Sequence, residues 1–226
     1  MLLGSLGDDV IWGDTTAAGP DAPGTAGDTI YGGGGADAVW GTGRDDSLYG
    51  GTENDTFRSG AGNDRIYGIA GQNSLYGEDG NDTIAAGTGD DLLAGGVGDD
   101  LLAGDAGNDT LWGGEGNDTM IAGPGTDRMA GGAGADVFVF DAAALAGVGA
   151  AADTISDFNA AQGDVIDLSG LGLVFVGAAV FGGTGAGEVR YAGEVLQVDL
   201  DGNAVLNAEI VLLGAPALPG PALDLV

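Results

Sequence analysis

In 226 residues the chain carries 35 acidic and 5 basic side chains, for a formal charge of −30, and the basic residues are all Arg. The lack of Lys, His and Cys excludes a His- or Cys-based zinc site, a Ser-His-Asp triad, a Cys-His pair and a Lys Schiff base. So few cations also exclude nucleic acid as a partner, because phosphate binding needs clustered Lys and Arg. The 49 Gly and the high charge point towards disorder, but 44% of the residues are apolar, too many for a solvating tail.

Met1-Leu2-Leu3 runs directly into Gly4, without the basic start or apolar stretch of a cleavable signal peptide. No run reaches the roughly 18 apolar residues of a transmembrane segment. From Gly4 the chain is organised in nonapeptides. The first is GSLGDDVIW (4–12), followed by GDTTAAGPDA (13–22), which reads as a loop insertion, and a second unit at 23–31. Residues 32–139 then divide into twelve gapless units. The sixth position holds Asp9, Asp28, Asp37, Asp46, Asp55, Asp64, Asn73, Asp82, Asp91, Asp100, Asp109, Asp118, Asp127 and Asp136. The eighth is always apolar, from Ile11 through Leu93 and Leu102 to Phe138. The first, second and fourth positions are mostly Gly.

Each rule has a physical reading. Gly lets the backbone turn through positive φ and leaves carbonyls unobstructed by side chains. Positions 7 to 9 make a short strand, with residue 8 pointing inward and residues 7 and 9 outward. One inward residue per strand is too little core for a unit alone, so the units must stack as a solenoid. Stacked strands lie about 4.8 Å apart, where equivalent Asp residues repel by about 1 kcal/mol per pair even in water. A cation between the loops removes the conflict. Carboxylates and backbone carbonyls select a hard ion, and flexible loops with many ligands favour Ca²⁺ over Mg²⁺. The candidate ligands are the fourteen position-6 residues and the loop carbonyls of Gly33, Gly35, Gly60, Gly62, Gly80, Gly87, Gly89, Gly96, Gly98, Gly107, Gly114, Gly116, Gly123, Gly125, Gly132 and Gly134.

The units GGAGADVFV (131–139), GGVGDDLLA (95–103) and GGEGNDTMI (113–121) resemble the GGxGxDxUx repeat of RTX, hemolysin-type calcium-binding proteins. The resemblance covers residues 4–139 and implies an all-β fold: a parallel β-roll with two nonapeptides per coil and calcium between loops one coil apart. Three departures stand out. Arg44 and Glu53 replace Gly at position 4, and Asn73 replaces Asp at position 6. Loss of formal charge at Asn73 predicts weaker calcium binding over residues 32–76 than over 77–139.

The nonapeptide register ends at residue 139, and residues 140–226 read as a second region. DTISDFNAAQGDVIDLS (153–169) carries Asp153, Asp157, Asp164 and Asp167, candidates for a further calcium or for solvated turns. Alternation in VLQVDL (195–200) predicts antiparallel strands capping the roll. DLDGN places Asp199, Asp201 and Asn203 like the start of a calcium loop, but Ile210 stands at the twelfth position, so a hairpin turn is the stronger reading. Residues 131–226 are similar to the C-terminal domain of serralysin-type secreted metalloproteases. This implies export through a type I secretion exporter by an uncleaved C-terminal signal, which Asp224-Leu225-Val226 suits. The protease does not carry over, since an HExxH helix needs His.

Position 9 points outward and is aromatic at Trp12, Tyr31, Trp40, Tyr49, Tyr67, Tyr76 and Trp112. Stacking along the sheet explains this; a strip binding glycan or protein is the sharper alternative. Outward Thr and Ser at position 7 raise an ice-binding face, but Ala38, Arg65, Leu92 and Arg128 interrupt the rows. The expected protein is secreted and extracellular, folds on binding several Ca²⁺ and catalyses nothing itself. The alternatives are an accessory module of a larger secreted enzyme, to which the start of the chain almost inside a repeat points, and a calcium-dependent adhesin or surface-layer component.

Overall fold

The computed structural model describes residues 1–13, 27–145, 152–172, 174–177, 188–192, 194–200 and 208–213. Most of the 13–22 insertion, Asp201, Asn203 and the terminal Asp224-Leu225-Val226 lie outside the described residues. Two sheets face each other, and successive strands alternate between them. One contains Leu2–Leu3, Thr29–Gly34, Ser47–Thr52, Arg65–Ile69, Thr83–Ala85, Leu101–Ala103, Thr119–Ile121, Val137–Val139 and Val165–Asp167. The other runs from Val10–Trp12 through Ala38–Thr42, Thr56–Ala61, Ser74–Asp79, Leu92–Val97, Thr110–Glu115 and Arg128–Ala133 to Asp153–Ile155. Neighbours are parallel. Between the strands of residues 29–139 each residue pairs with the one 18 positions on, as in Leu93 with Leu111 and Leu102 with Met120, and across the insertion Ile11 pairs with Val39. The architecture is therefore a parallel β-roll with two nonapeptides per coil.

The core follows the repeat. From Ile30 to Phe138 the position-8 side chains are essentially fully buried, and they meet between the sheets. Each such side chain contributes about 1.5–3 kcal/mol of apolar burial, available only once coils stack. Among the described residues no helix is long and apolar enough to cross a membrane.

Three features differ from the sequence reading. Many strands are six residues long instead of three, because ladder hydrogen bonding continues into the first three positions of the next unit, as in Leu92–Val97. Position 1 is consequently a second inward site, held by Gly32, Gly50, Ser59, Ala86 and Ala122. The parallel stack also continues past residue 139: Met129 pairs with Ile155 and Phe138 with Ile166. The C-terminal region is mixed in direction. Val195–Asp199 is antiparallel to both Glu188–Ala192 and Ala208–Leu212, but Ala208–Leu212 is parallel to Asp153–Ile155, and Val174–Gly177 to Glu188–Ala192. Asp199 is buried at the end of Val195–Asp199. Phe140, Leu145, Phe158 and Leu168 are buried in the same core beyond the last repeats, with Phe158 tilted against Phe138 at 6.2 Å between ring centroids.

Candidate metal centre

The position-6 Asp side chains form a rung at each loop. One carboxylate oxygen, Oδ1, accepts the backbone N–H of the position-6 residue one coil earlier. Asp82 N donates to Asp100 Oδ1 at 2.7 Å, and Asp100 N to Asp118 Oδ1 at 2.8 Å. The pattern runs on one loop edge from Asp28 to Asp136 and on the other from Asp9 to Asp127, with distances of 2.6–3.0 Å. These Asp residues are buried from Asp37 onward.

The second oxygen, Oδ2, is the anomaly. Among the described residues ten of these atoms are buried with no hydrogen-bond partner: Asp37, Asp55, Asp64, Asp82, Asp91, Asp100, Asp109, Asp118, Asp127 and Asp136. An unsatisfied buried charge is among the costliest features a fold can carry. Backbone oxygen surrounds it. A methyl added at Gly95 would overlap Asp100 Oδ2 and lie 2.7 Å from Gly113 O, so carboxylate and carbonyl face the same small space. The position-2 and position-4 carbonyls of one coil also point at the glycines of the next. A Cβ on Gly96 would overlap Glu78 O, and one on Gly98 would overlap Gly80 O. Positive φ at these positions aims them, for example +122° at Gly96 and +131° at Gly98. Glu53, Ile69, Glu78 and Asp105 adopt it without being Gly.

Burial raises the Asp carboxyls well above their ordinary value. Asp127 is pushed up to about 8, Asp100 and Asp109 to about 7, and Asp55, Asp64, Asp82 and Asp118 to about 6. Neighbouring acids add to the effect, and the backbone N–H opposes it. A proton or a cation would relieve this cost. An oxygen-only donor set of carboxylate and carbonyls fits Ca²⁺. Among the described residues no three acidic side chains converge, so carbonyls are needed to complete any such site.

Three rungs differ. Ser5 donates its N–H (2.6 Å) and hydroxyl (3.1 Å) to Asp9 Oδ2, and Thr42 does the same for Asp46 at 2.7 and 3.1 Å. Asn73 Oδ1 accepts from Asp55 N, while its Nδ2 donates to Gly71 O and Ala86 O, both at 3.4 Å. An amide hydrogen thus sits where the other rungs place a bare oxygen.

The C-terminal acids separate. Asp153 Oδ1 accepts from Asp127 N (2.8 Å), and Asp164 Oδ1 from Asp136 N (3.2 Å), so each adds a last rung. Asp164 Oδ2 is already satisfied by Asn159 N at 2.8 Å. Asp157, expected as a ligand, does not join the ladder: it accepts from Gly131 N and Gly132 N of Arg128–Ala133. Asp167 accepts from Ser169 N at 2.8 Å, and the Ser169 hydroxyl together with this N–H holds its carboxyl below the usual value.

Sequence reasoning missed position 5. Its Asp and Asn side chains form an exposed outer ladder of opposite polarity, accepting from the N–H one coil later. Asp90 Oδ1 accepts from Asn108 N at 2.8 Å, and Asp99 Oδ1 from Asn117 N at 2.7 Å. The signal was present, since position 5 is Asp or Asn in nine of fourteen units, including the pairs Asp90-Asp91 and Asp99-Asp100.

The outward aromatics stack face to face. Trp12 and Trp40 centroids are 4.3 Å apart, Tyr31 and Tyr49 4.8 Å, Tyr49 and Tyr67 5.1 Å, and Arg58 lies 4.3 Å over Tyr76. Neighbouring rings cover one another's faces, which is stacking along the sheet. The position-7 row Thr29, Ser47, Arg65, Thr83, Leu101 is interrupted, as an ice face would not be.

The RTX calcium-binding nonapeptide repeat matches residues 1–15 and, in overlapping stretches, 24–138, which is more than half of the chain. This chain belongs to the RTX calcium-binding nonapeptide repeat family. The matched RTX segments end at residue 138, so the serralysin-like resemblance beyond them rests on the sequence pattern alone. No curated protein matches the chain. Among solved structures it is similar to the solution structure of the AlgE6R3 subunit from the Azotobacter vinelandii mannuronan C5-epimerase. The identity is 31%, over 62% of this chain and 78% of that one, with a TM-score of 0.43.

Proposed function

We propose that this chain is a calcium-switched β-roll, exported unfolded and folded outside the cell by extracellular Ca²⁺, without catalysis of its own. The ten buried, unpartnered Asp Oδ2 atoms, six of which share their space with a backbone carbonyl of the next coil, carry the reading. The Asp carboxylates of adjacent coils and the position-2 and position-4 carbonyls would hold the ions. Bound calcium supplies the positive charge that the rungs lack. The chain's own residues do the rest: Oδ1 ties each coil to the one before it, Gly keeps side chains out of the ion space, and the position-8 row forms the core.

Extracellular calcium modules bind at about 10⁻⁴ to 10⁻³ M, so cytosolic calcium would leave the sites empty. The rungs would then repel, and the chain would stay extended enough to thread through a type I exporter. Outside, each filled site adds its binding free energy to the folded state. The capped C-terminal end, which emerges first if the export signal lies there, gives coils a surface on which to stack. The same reading serves an accessory module of a larger secreted enzyme or a surface adhesin, since both need a folded, calcium-filled scaffold.

Far-UV circular dichroism of the purified chain in chelator, then in millimolar calcium, with magnesium as control, tests the switch. A coil-to-β transition with calcium alone is expected. Full β structure in chelator at neutral pH refutes it.

A further inference from the structure

We propose that loop positions 2 and 6 together decide which rungs take an ion, and that the Ser5–Asp9, Thr42–Asp46 and Asn73 rungs are closed by the protein's own hydrogens and take none. The proposal rests on the calcium reading above and specifies which rungs it applies to.

At the ten other rungs named above, Oδ2 is buried without a hydrogen-bond partner; the Ser59 hydroxyl lies beside Asp64 but donates to Gly77 O at 2.7 Å. The three exceptions fill the same place with a donor. Thr42 and Ser5 do not adopt the left-handed backbone of the Gly loops. Each turns its own N–H onto Oδ2 and adds its hydroxyl. Asn73 closes its rung differently. A Cβ on Gly68 would overlap Ala86 O and lie 2.6 Å from Asn73 Nδ2, the same relation that Gly95 has to Gly113 O and Asp100 Oδ2. The Asn amide orientation follows from its partners, because Asp55 N–H requires an acceptor and the two carbonyls require a donor. A neutral NH₂ group there satisfies carbonyls that would otherwise be left to a cation.

These rungs fall in the N-terminal half. On one loop edge, Asp64, Asp82, Asp100, Asp118 and Asp136 follow one another without a closed rung. On the other edge Asn73 separates Asp37 and Asp55 from Asp91, Asp109 and Asp127. The ion ladder is thus unbroken only in the later coils, and the first coils are joined partly by direct hydrogen bonds that need no metal.

Counting calcium bound to the full chain, by native mass spectrometry and by equilibrium dialysis at saturating calcium, tests this. Asn73→Asp and Thr42→Gly are each expected to add about one ion, and the double variant about two. Asp82→Asn is expected to lose about one, its amide closing that rung as Asn73 does. Thr42→Ser, which keeps the hydroxyl, leaves the count unchanged. Circular dichroism at saturating calcium confirms that each variant compared is folded; if Thr42→Gly does not fold, Asn73→Asp and Asp82→Asn decide. A wild-type chain that binds calcium, with counts unmoved in folded Asn73→Asp and Asp82→Asn, overturns the assignment alone. A wild-type chain that binds no calcium overturns the ladder reading, and this proposal with it.

Discussion

The number of ions coupled to folding can be read from a core substitution that touches no ligand. Leu102 is fully buried, in register between Ile84 and Met120. Truncation to Ala costs about 3 kcal/mol, in the middle of the range for a buried Leu. If n calcium ions bind in one cooperative folding step, that cost is shared among them, and the calcium midpoint rises by only one nth of it on a logarithmic scale. About 1.4 kcal/mol is tenfold in a binding constant. With one coupled ion the midpoint moves roughly a hundredfold. With ten, one for each unpartnered Asp oxygen, it moves by less than about twofold. The assay is a calcium titration of wild type and Leu102→Ala followed by far-UV circular dichroism. Urea unfolding at saturating calcium confirms the full loss. A steep transition whose midpoint barely moves is expected. A shallow transition displaced more than about tenfold means at most two coupled ions and refutes the ladder as the driving force.

Three further outcomes follow from single features. In chelator, β structure returns as the pH falls: unfolded Asp titrates near 3.9, whereas folding raises the rungs, Asp55, Asp64, Asp82 and Asp118 to about 6, Asp100 and Asp109 to about 7 and Asp127 to about 8, so stability is full below about 4 and is lost as pH rises through that window; dichroism that is flat from pH 4 to 9 rejects this. Asp90→Ala removes only exposed bonds, at 2.8 and 3.0 Å to Asn108, and costs less than about 1 kcal/mol, whereas Asp91→Ala loses an ion as well; equal calcium counts in the two variants contradict the division of the pair. Ile69→Gly relieves a β-branched residue held at φ 81° and stabilises the calcium-loaded roll by about 1 kcal/mol in urea unfolding; a loss of stability means that the exposed Ile69 side chain outweighs its backbone strain.

What the sequence made legible is what a side chain alone must satisfy. Position 6 has to offer a side-chain oxygen acceptor and position 8 has to be apolar, so both appear as rows in any reading of the chain. Position 1 was harder to read because its requirement is an absence: Gly95 faces Asp100 Oδ2 and leaves room for little beyond hydrogen. Ala86, Ala122 and Ser59 occupy the same position, which blurs the pattern. Position 5 was legible but was merged with its neighbour, since Asp90-Asp91 reads as one acid pair until stacking sends one carboxylate inward and the other along the outer edge. The longer strands depend on coil-to-coil hydrogen bonding, which no single unit encodes.

The end of the roll was misread for a reason the two ladders explain. Each inner rung needs an acceptor from the coil after it, so Asp127 N and Asp136 N would be orphaned if stacking stopped with the register at residue 139. Asp153 and Asp164 supply those acceptors from 26 and 28 residues away, where the repeat spacing is 18. The nonapeptide period is broken there but the hydrogen-bond demand is not, and the backbone follows the demand. The outer ladder runs the other way, its acceptors coming from the coil before, so that Ala36 N relies on Asp8 at 2.9 Å. Because the polarities oppose, the C-terminal end has only the inner ladder to close and the N-terminal end only the outer one. The inner ladder holds the buried charges, so the end that must be capped with acids inside the core is the C-terminal one. That is where Phe140, Phe158 and Leu168 close over the last rungs. Under the proposed export, folding starts from the end at which Asp153 and Asp164 supply the last inner acceptors.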